Sequence, residues 1–418
     1  MTTTSTGLPD PYPIRPITDG EFETFEVVTD LAFVLPPPSE AYLSHERARL
    51  ELDRCIAAFD GATMVGTATA FSFRMTVPGG LVPTAGVSWV SVLPPYRRRG
   101  IMDSLMRRQL SDIRERGEPV AALLPTESPL YGRYGYGMAI QQAAFTLRRQ
   151  EGAFARGAPH DPAIRLRIAP PAEARPAMVR VYDSVLPSRP GFLGRTDVWW
   201  DRVTRVAGGK RSSLSCLLAE DETGPRGYAL YAGNNRWEDE DSLSDCTLTI
   251  SELVAADPAA GAALWRDLLS RDLVTEVRAR HRPADDPLQF QLADPRRVRT
   301  RLSDGLWVRL VDVPEALAAR RYSCPVDAVI EVRDDLLPDN AGRWHLQAGD
   351  AGTASCGRTS AAADVSLGVR ELGAAYLGGT RLGSLAAAGL VNEHRPGTLA
   401  PLSAALSWDP SPWSPGTF

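Results

Sequence analysis

The chain has 418 residues, 44% of them hydrophobic and 23% charged, with 35 Gly and 34 Pro. At roughly 100–200 residues per domain this length predicts two to four domains, and the ordinary apolar fraction excludes wholesale disorder, a collagen-like repeat and a disulfide-stapled miniprotein. A net charge of −5, with Lys210 the single lysine among 46 basic residues, lacks the broad positive field that nucleic-acid binding requires. Five cysteines without CxxC spacing and five histidines without HxxxH or HExxH spacing give no support to a metal site. The start MTTTSTGLPDPYPIRP has no basic or apolar leader character, and no stretch nears ~18 uninterrupted apolar residues, so a soluble, cytoplasmic protein with no membrane partner is expected.

Ile14-Arg15-Pro16 reads as a short strand, and Thr18-Asp19-Gly20-Glu21 as a capping box opening a helix with apolar positions Phe22, Phe25, Val28 and Ala32. Strands are predicted from Cys55 to Phe59 and Met64 to Phe73, joined by the hairpin signal Asp60-Gly61. After Pro78-Gly79-Gly80 come a strand from Gly86 to Val92, a turn from Leu93 to Arg99, a helix from about Gly100 to Arg114, and a strand from Val120 to Leu124. In that helix Met102, Leu105, Met106, Leu110 and Ile113 recur at three and four residues, so one face packs on a sheet.

Residues 151–162 read as a linker, and a second α/β block runs to about residue 300. Its strands are expected around Ile164–Arg167, Leu214–Leu218, Gly227–Tyr231 and Thr247–Ala255, with helices at Glu173–Val185 and Ala259–Leu269. The plan echoes the first block, but Ala255-Ala256-Asp257-Pro258 stands where a basic-glycine turn would be, which predicts a degenerate repeat without cofactor binding. From Gly305 onward short strands (Ala328–Val332, Arg343–Leu346) precede Ala/Gly-rich helical segments at 370–390. The prolines of residues 407–418 forbid a regular helix, and Trp408, Trp413 and Phe418 in so short a tail predict a docked chain end.

The chemistry lies in Trp89-Val90-Ser91-Val92-Leu93-Pro94-Pro95-Tyr96-Arg97-Arg98-Arg99-Gly100-Ile101-Met102. A strand ending in a glycine-containing turn before a helix points backbone N–H groups and the positive end of the helix dipole into one place, an anion site suited to a pyrophosphate. The free edge of Val90, Ser91 and Val92 can hydrogen-bond an extended amide-bearing ligand as a further strand. A ligand with a pyrophosphate and a two-amide arm is coenzyme A. The turn Tyr131-Gly132-Arg133-Tyr134-Gly135-Tyr136-Gly137 offers three candidate phenols, Tyr131, Tyr134 and Tyr136, between which the residues alone do not choose.

The strand followed by Arg97, Gly100 and Met102 resembles the acetyl-CoA motif [QR]xxGx[GA] of the GCN5-related N-acetyltransferases, with Met102 in place of a small residue. Met75-Thr76-Val77-Pro78, Leu81 to Ser88, Tyr96 to Gly100, Tyr131 to Gly137, Gly305-Leu306-Trp307 and the terminal Phe418 resemble the Eis (enhanced intracellular survival) family within that superfamily. The resemblance spans the chain and implies an α/β (α+β) fold of two tandem acetyltransferase-like domains, 1–155 and a degenerate 163–304, with a sterol-carrier-like domain at 305–418. It implies acetyl-CoA as cosubstrate, lying on Val90, Ser91 and Val92, its pyrophosphate on Arg98, Arg99, Gly100, Ile101, Met102 and Asp103, with Thr126 and Glu127 on the neighbouring strand. Tyr131 is the implied general acid and the α-carboxylate of Phe418 the general base. A homohexamer is implied as well.

Acetyl transfer needs a neutral amine, a stabilised oxyanion and a proton for the departing thiolate; the backbone N–H near Val90 suits the oxyanion. A phenol near pKa 10 protonates a thiolate of parent pKa about 8.5 only through alignment, and an α-carboxyl of roughly 3.3–3.7 is a base only if burial raises it or the amine acidifies on attack. The family acetylates aminoglycosides, polycations that need an acidic pocket. Here Thr417 stands where an acid is penultimate, Leu35 where such relatives carry an acidic pocket residue, and Trp89 and Phe33 predict a more aromatic, less anionic acceptor pocket. Rival expectations are hydrophobic or aromatic amines or protein lysines as acceptors, or a lipid-binding protein using residues 306–418 with a vestigial transferase.

Overall fold

The computed structural model describes residues 11–204, 214–237, 244–349 and 353–418; Lys210 and the Thr-rich first ten residues lie outside them. The first block builds β1 (Ile14–Pro16), α1 (Phe22–Phe33), α2 (Glu40–Arg49), β2 (Ile56–Asp60), β3 (Thr63–Val77), β4 (Gly80–Val92), α3 (Ile101–Glu115) and β5 (Val120–Leu123). The expected capping box forms: the Thr18 amide donates to the Glu21 carboxylate at 2.8 Å, and the Thr18 side chain answers the third residue's backbone. Gly61 turns β2 into β3 at φ +59°, a conformation that costs glycine nothing. Along α3 the buried face is Ile101, Leu105, Met106, Gln109, Leu110 and Ile113, while Met102 is only half-buried.

The sheets do not close within the blocks expected from sequence. The first runs β1-β2-β3-β4-β5, then the strand Trp307–Leu310, then β6 (Gly137–Met138). The second runs Arg299–Asp304, β7 (Gln141–Arg148), Val274–Pro283, Ser244–Ala255, Gly224–Trp237, Ser215–Asp221, Arg165–Ala169. Each transferase-like sheet therefore takes its sixth strand from the other side of the chain: β7, placed with the first block, belongs to the second sheet, and Trp307–Leu310, placed with the third block, belongs to the first. The exchange follows from burial. Alternate residues Ala143, Phe145 and Leu147 of β7 enter the second core, where Phe145 meets Trp265 at 6.4 Å, while all four residues of Trp307–Leu310 are buried, as a central strand requires. Order and connectivity otherwise match between the two sheets, including the parallel pair at the centre of each.

The third sheet, Ala354–Arg358, Gly342–Ala348, Val326–Arg333, Val365–Gly368 and Val391–Glu393, shares one apolar core with the first block: Phe71, Phe73, Val308, Trp344, Leu346, Leu372 and Tyr376 are contiguous. The helix Val369–Ala375 lies so close to the Tyr/Gly-rich turn that a Cβ on Gly137 would stand 2.0 Å from the Arg370 carbonyl, and one on Gly373 2.3 Å from that of Val308. Fully buried Arg309 completes the seam, donating to both carboxylate oxygens of Asp334 at 2.8 and 2.7 Å. No described helix is long and apolar enough to cross a membrane.

The seam yields a stability prediction. Gly373→Val forces backbone against backbone and costs about 3 kcal/mol; thermal unfolding of the variant begins several degrees below wild type.

Candidate acetyl-transfer site

The site starts from a break in register. Thr69 faces Ser88 but Thr67 faces Ser91, so β4 carries an extra residue at Trp89, held in the left-handed region at φ +50°. Such a non-glycine residue costs about 1–3 kcal/mol and persists where its surroundings over-determine it. Here the Thr67 hydroxyl donates to the Trp89 carbonyl at 2.9 Å and lies 2.7 Å from the Ser91 hydroxyl and 3.1 Å from that of Thr29. The Gln109 side chain donates to the Thr69 carbonyl beside the shift at 2.8 Å. The parallel ladder between β4 and β5 is confined to Thr84–Gly86 opposite Val120–Ala122, which leaves Val90, Ser91 and Val92 without a strand on that side. Thr126 and Glu127, beyond β5, line a surface cavity of about 500 Å³ with Leu130 and Arg133.

At the end of β4 the turn Pro94–Tyr96 leads into Arg97–Gly100, where Arg98 (φ +63°) and Gly100 (φ +83°) both take left-handed conformations. α3 begins at Ile101 without a side-chain cap, so its first N–H groups remain for a ligand, and the space beside Gly100 is open. The arginines divide their work. Arg97 donates to the carbonyls of Ala32 and Val92 at 3.3 and 3.5 Å and fastens the loop; Arg99 donates to the Tyr12 hydroxyl at 2.9 Å and covers Tyr96; Arg98 is exposed at the turn. Asp103 is tied to Arg107 at 2.7 Å, one turn along the helix, away from the anion loop.

The second unit shows the same helix start closed. Asp257 caps the helix Pro258–Ser270, its carboxylate accepting from the amides of Ala259 and Ala260 at 2.9 and 3.0 Å. Arg226, which could have served an anion, is bound by Asp257, Asp161 and Asp221. A carboxylate of the chain itself thus holds the place a phosphate would need, which is the physical content of the missing basic-glycine turn.

Of the three tyrosines, Tyr131 is buried at the end of the short helix α4 (Ser128–Tyr131), near Thr126 and Glu127; burial and then the Glu127 charge push its phenol up to about 12, partly offset by a hydrogen bond with Thr126. Tyr136 is wholly buried and pushed higher still, and its hydroxyl has no hydrogen-bond partner among the described residues. The tail docks as expected. Pro412 to Pro415 are buried, and the chain ends beside the bulge, where the Ser88 hydroxyl donates to the terminal carbonyl oxygen of Phe418 at 3.3 Å. The Phe418 ring packs on Phe73 at 5.2 Å and lies 3.1 Å from where a Cβ on Gly86 would stand.

Trp89 lies in an aromatic box with Phe25, Phe71 and Trp199, the last from the second unit, and Phe33 and Leu35 take no part in those ring contacts: Phe33 is half-buried and Leu35 is 54% exposed on the loop after α1. Buried acids not anticipated from the sequence lie near this box, Glu26 and Asp30 on α1 and Glu46 on α2. Buried Arg49 pairs with Glu46 and stacks over Phe71, Trp89 and Trp199 at 4.7, 5.2 and 4.8 Å. Burial first, then Glu46 and Asp30, raise Glu26 to about 8 against the opposing pull of Arg49; Asp30 is raised by burial and Glu46. Spacing of Glu26 and Asp30 at i and i+4 beside Thr29 was the one available signal, a polar stripe inside a helix face otherwise read for its apolar residues. Trp199 had none. Thr417 is exposed at the tail.

Glu26 carries a pH prediction. Its folded value lies above its unfolded one, so its stabilising effect is present below about 4.5 and is lost as pH rises through about 8. Glu26→Gln therefore unfolds at a higher temperature than wild type at pH 8.5 and not at pH 5, with a shallower loss of stability between; equal slopes for both proteins would contradict this assignment.

Comparison with known proteins places this geometry. Acetyltransferase (GNAT) domain models match residues 13–139 and 191–310, and a sterol carrier protein domain model matches 313–415. The chain is 44% identical to an uncharacterized N-acetyltransferase of Streptomyces coelicolor over 92% of its own length and 94% of the relative's. It is 35% identical to N-acetyltransferase Eis of Mycobacterium tuberculosis over 90% of this chain and 91% of that one. The crystal structure of Eis1 from Mycobacterium abscessus superposes with a TM-score of 0.85 at 34% identity, covering 97% of this chain and all of that one. With two acetyltransferase sheets, one open and one self-capped, and a sterol-carrier-like third domain, the chain belongs to the Eis family of GCN5-related N-acetyltransferases.

Proposed function

We propose that the protein transfers the acetyl group of acetyl-CoA to amines of aminoglycosides, at more than one position of a molecule. The observation that carries this reading is the chain end at Ser88: a carboxylate delivered beside the bulged strand, in a protein whose fold uses acetyl-CoA. In this reading the Val90–Val92 edge takes the pantetheine amides, and the loop Arg98, Arg99 and Gly100 with the first turn Ile101, Met102 and Asp103 takes the pyrophosphate. Thr126 and Glu127 flank the arm. The backbone N–H near Val90 stabilises the oxyanion. Tyr131, with a phenol pushed up to about 12, works as an aligned hydrogen-bond donor that releases its proton only as the thiolate forms. The Phe418 carboxylate accepts the proton that the amine sheds on attack. Trp89, Thr417 and the loop bearing Phe33 and Leu35 meet the acceptor. Asp30 and Glu46, partly offset by Arg49, supply the acidic character of this region, while Glu26 is largely protonated near neutral pH and adds little charge; the choice of aminoglycosides follows family likeness.

The box of Phe71, Trp89 and Trp199 favours a second acceptor class, aromatic amines. The third domain supports the transferase rather than a lipid carrier, because Trp344, Leu346, Leu372 and Tyr376 pack its interior into the core of the first block. Assembly as a cytoplasmic homohexamer follows by family likeness and is checked by light scattering.

Thiol release from acetyl-CoA, followed with an aminoglycoside, an aromatic amine and a lysine peptide, tests the reading: the aminoglycoside is expected to be fastest, and no release with any amine overturns transferase function. A few residues added after Phe418 abolish turnover while acetyl-CoA affinity stays; full turnover would remove the carboxylate from the mechanism. Tyr131→Phe lowers kcat by about 10²-fold or more with unchanged acetyl-CoA affinity, since it removes only the transferable proton.

A further inference from the structure

The self-capped second unit has kept its fold, and what it holds is the tail. Trp413 is 5% exposed and is gripped from four directions by that unit: its indole N–H donates to the His281 carbonyl at 2.6 Å, its amide to the Pro190 carbonyl at 2.8 Å, its ring meets Phe192 edge-on at 5.2 Å, and the Arg282 guanidinium lies over it at 5.0 Å. His281 reaches this position through a register shift in its strand and a left-handed φ of +54°, with its Nδ1 3.0 Å from the Gln142 side chain of the exchanged strand β7. Strain of this kind persists where it has a use. Two residues earlier the Ser411 amide donates to Asp285 at 2.9 Å. Three residues later the tail crosses the buried pair Arg195–Glu252, so close that a Cβ on Gly416 would stand 3.0 Å from the Arg195 guanidinium. Gly191 is equally constrained: at φ +94°, a Cβ there would lie 2.9 Å from the Trp413 carbonyl.

We propose that the second, cofactor-free unit is the clamp that positions the C-terminal carboxylate for catalysis in the first, with Trp413 as its key positioning residue. The inference rests on the reading of the Phe418 carboxylate as base. Every contact named for Trp413 comes from the second unit, whereas the chain end meets Ser88, Phe73 and Gly86 of the first. The third domain holds Trp408 through the Gly378 carbonyl, and a tail free beyond it would carry its carboxylate on ten residues; pinned at Trp413 it has five, with Pro415 among them. Five extended residues reach at most about 17 Å, so the pin confines the carboxylate to the neighbourhood of the bulge and prepays the entropy of bringing a base to the amine.

The test compares four proteins by thiol release with saturating amine, by acetyl-CoA affinity and by hydrogen exchange at residues 414–418. A chain ending at Thr417 sets the floor. Trp413→Ala is expected to lose about tenfold or more in kcat with acetyl-CoA affinity within about twofold of wild type and with faster exchange in the tail, because a displaced base acts on turnover and not on coenzyme binding. Trp413→Phe keeps the ring and restores most of the rate; Asp285→Ala, a milder release of the tail, loses about threefold in kcat. Wild-type kcat in Trp413→Ala beside an inactive chain ending at Thr417 overturns the clamp and leaves the base reading intact. Full activity of the chain ending at Thr417 overturns the base reading and the clamp with it. Should Trp413→Ala not fold, Asp285→Ala decides, and unchanged kcat and tail exchange there overturn the clamp.

Discussion

The proposed acetyl-transfer site depends on two adjacent parallel strands coming apart. β4 and β5 share a ladder for three residues and then separate, because the bulge at Trp89 turns the end of β4. The separation exposes backbone donors and acceptors that a closed sheet would have used internally, while the Phe418 ring packs over the sheet face at Gly86. Holding a tryptophan at positive φ is unfavourable by itself. A cluster of three hydroxyls, Thr29, Thr67 and Ser91, with Gln109 bonded to the neighbouring carbonyl, offsets that cost inside the core, where water cannot compete for the same groups.

The two transferase-like units show how little separates an open anion site from a closed one. Their sheets have the same order, each completed by a strand from across the chain, and each places a helix after its fourth strand. In one, glycine at positive φ and an uncapped helix leave N–H groups free; in the other, an aspartate one residue before a proline satisfies them. Strand exchange also explains why the units stay together: the second sheet needs β7 from the first block and the first sheet needs Trp307–Leu310 from the third, so the three are parts of one body.

Charge around the Trp89 box is arranged with the same economy. Glu26, Asp30 and Glu46 are buried beside Arg49, whose guanidinium lies on three aromatic faces. The electron-rich faces of that box are thus occupied by the chain's own guanidinium. Glu26 is raised first by its burial and only then by Glu46 and Asp30, against the opposing pull of Arg49.

Much of this was legible in the sequence, and the reason is local. The capping box at Thr18, the Asp60-Gly61 hairpin, the amphipathic run of α3 and the strand–Arg/Gly–helix turn each depend on residues within a few positions, so spacing alone determined them, as did Asp257 at the silent copy of that turn. The aromatic and proline content of the last twelve residues was enough to foresee a docked tail. Tertiary structure decided what depends on long separations. Which sheet β7 and Trp307–Leu310 would join turned on which core had room for their side chains. That Trp199 would close a box around Trp89 depended on packing across more than a hundred residues, and the acids of α1 and α2 meet the same box from other elements while Leu35 stays in solvent. Periodicity reports which face of an element is buried; only the assembled fold selects what it is buried against.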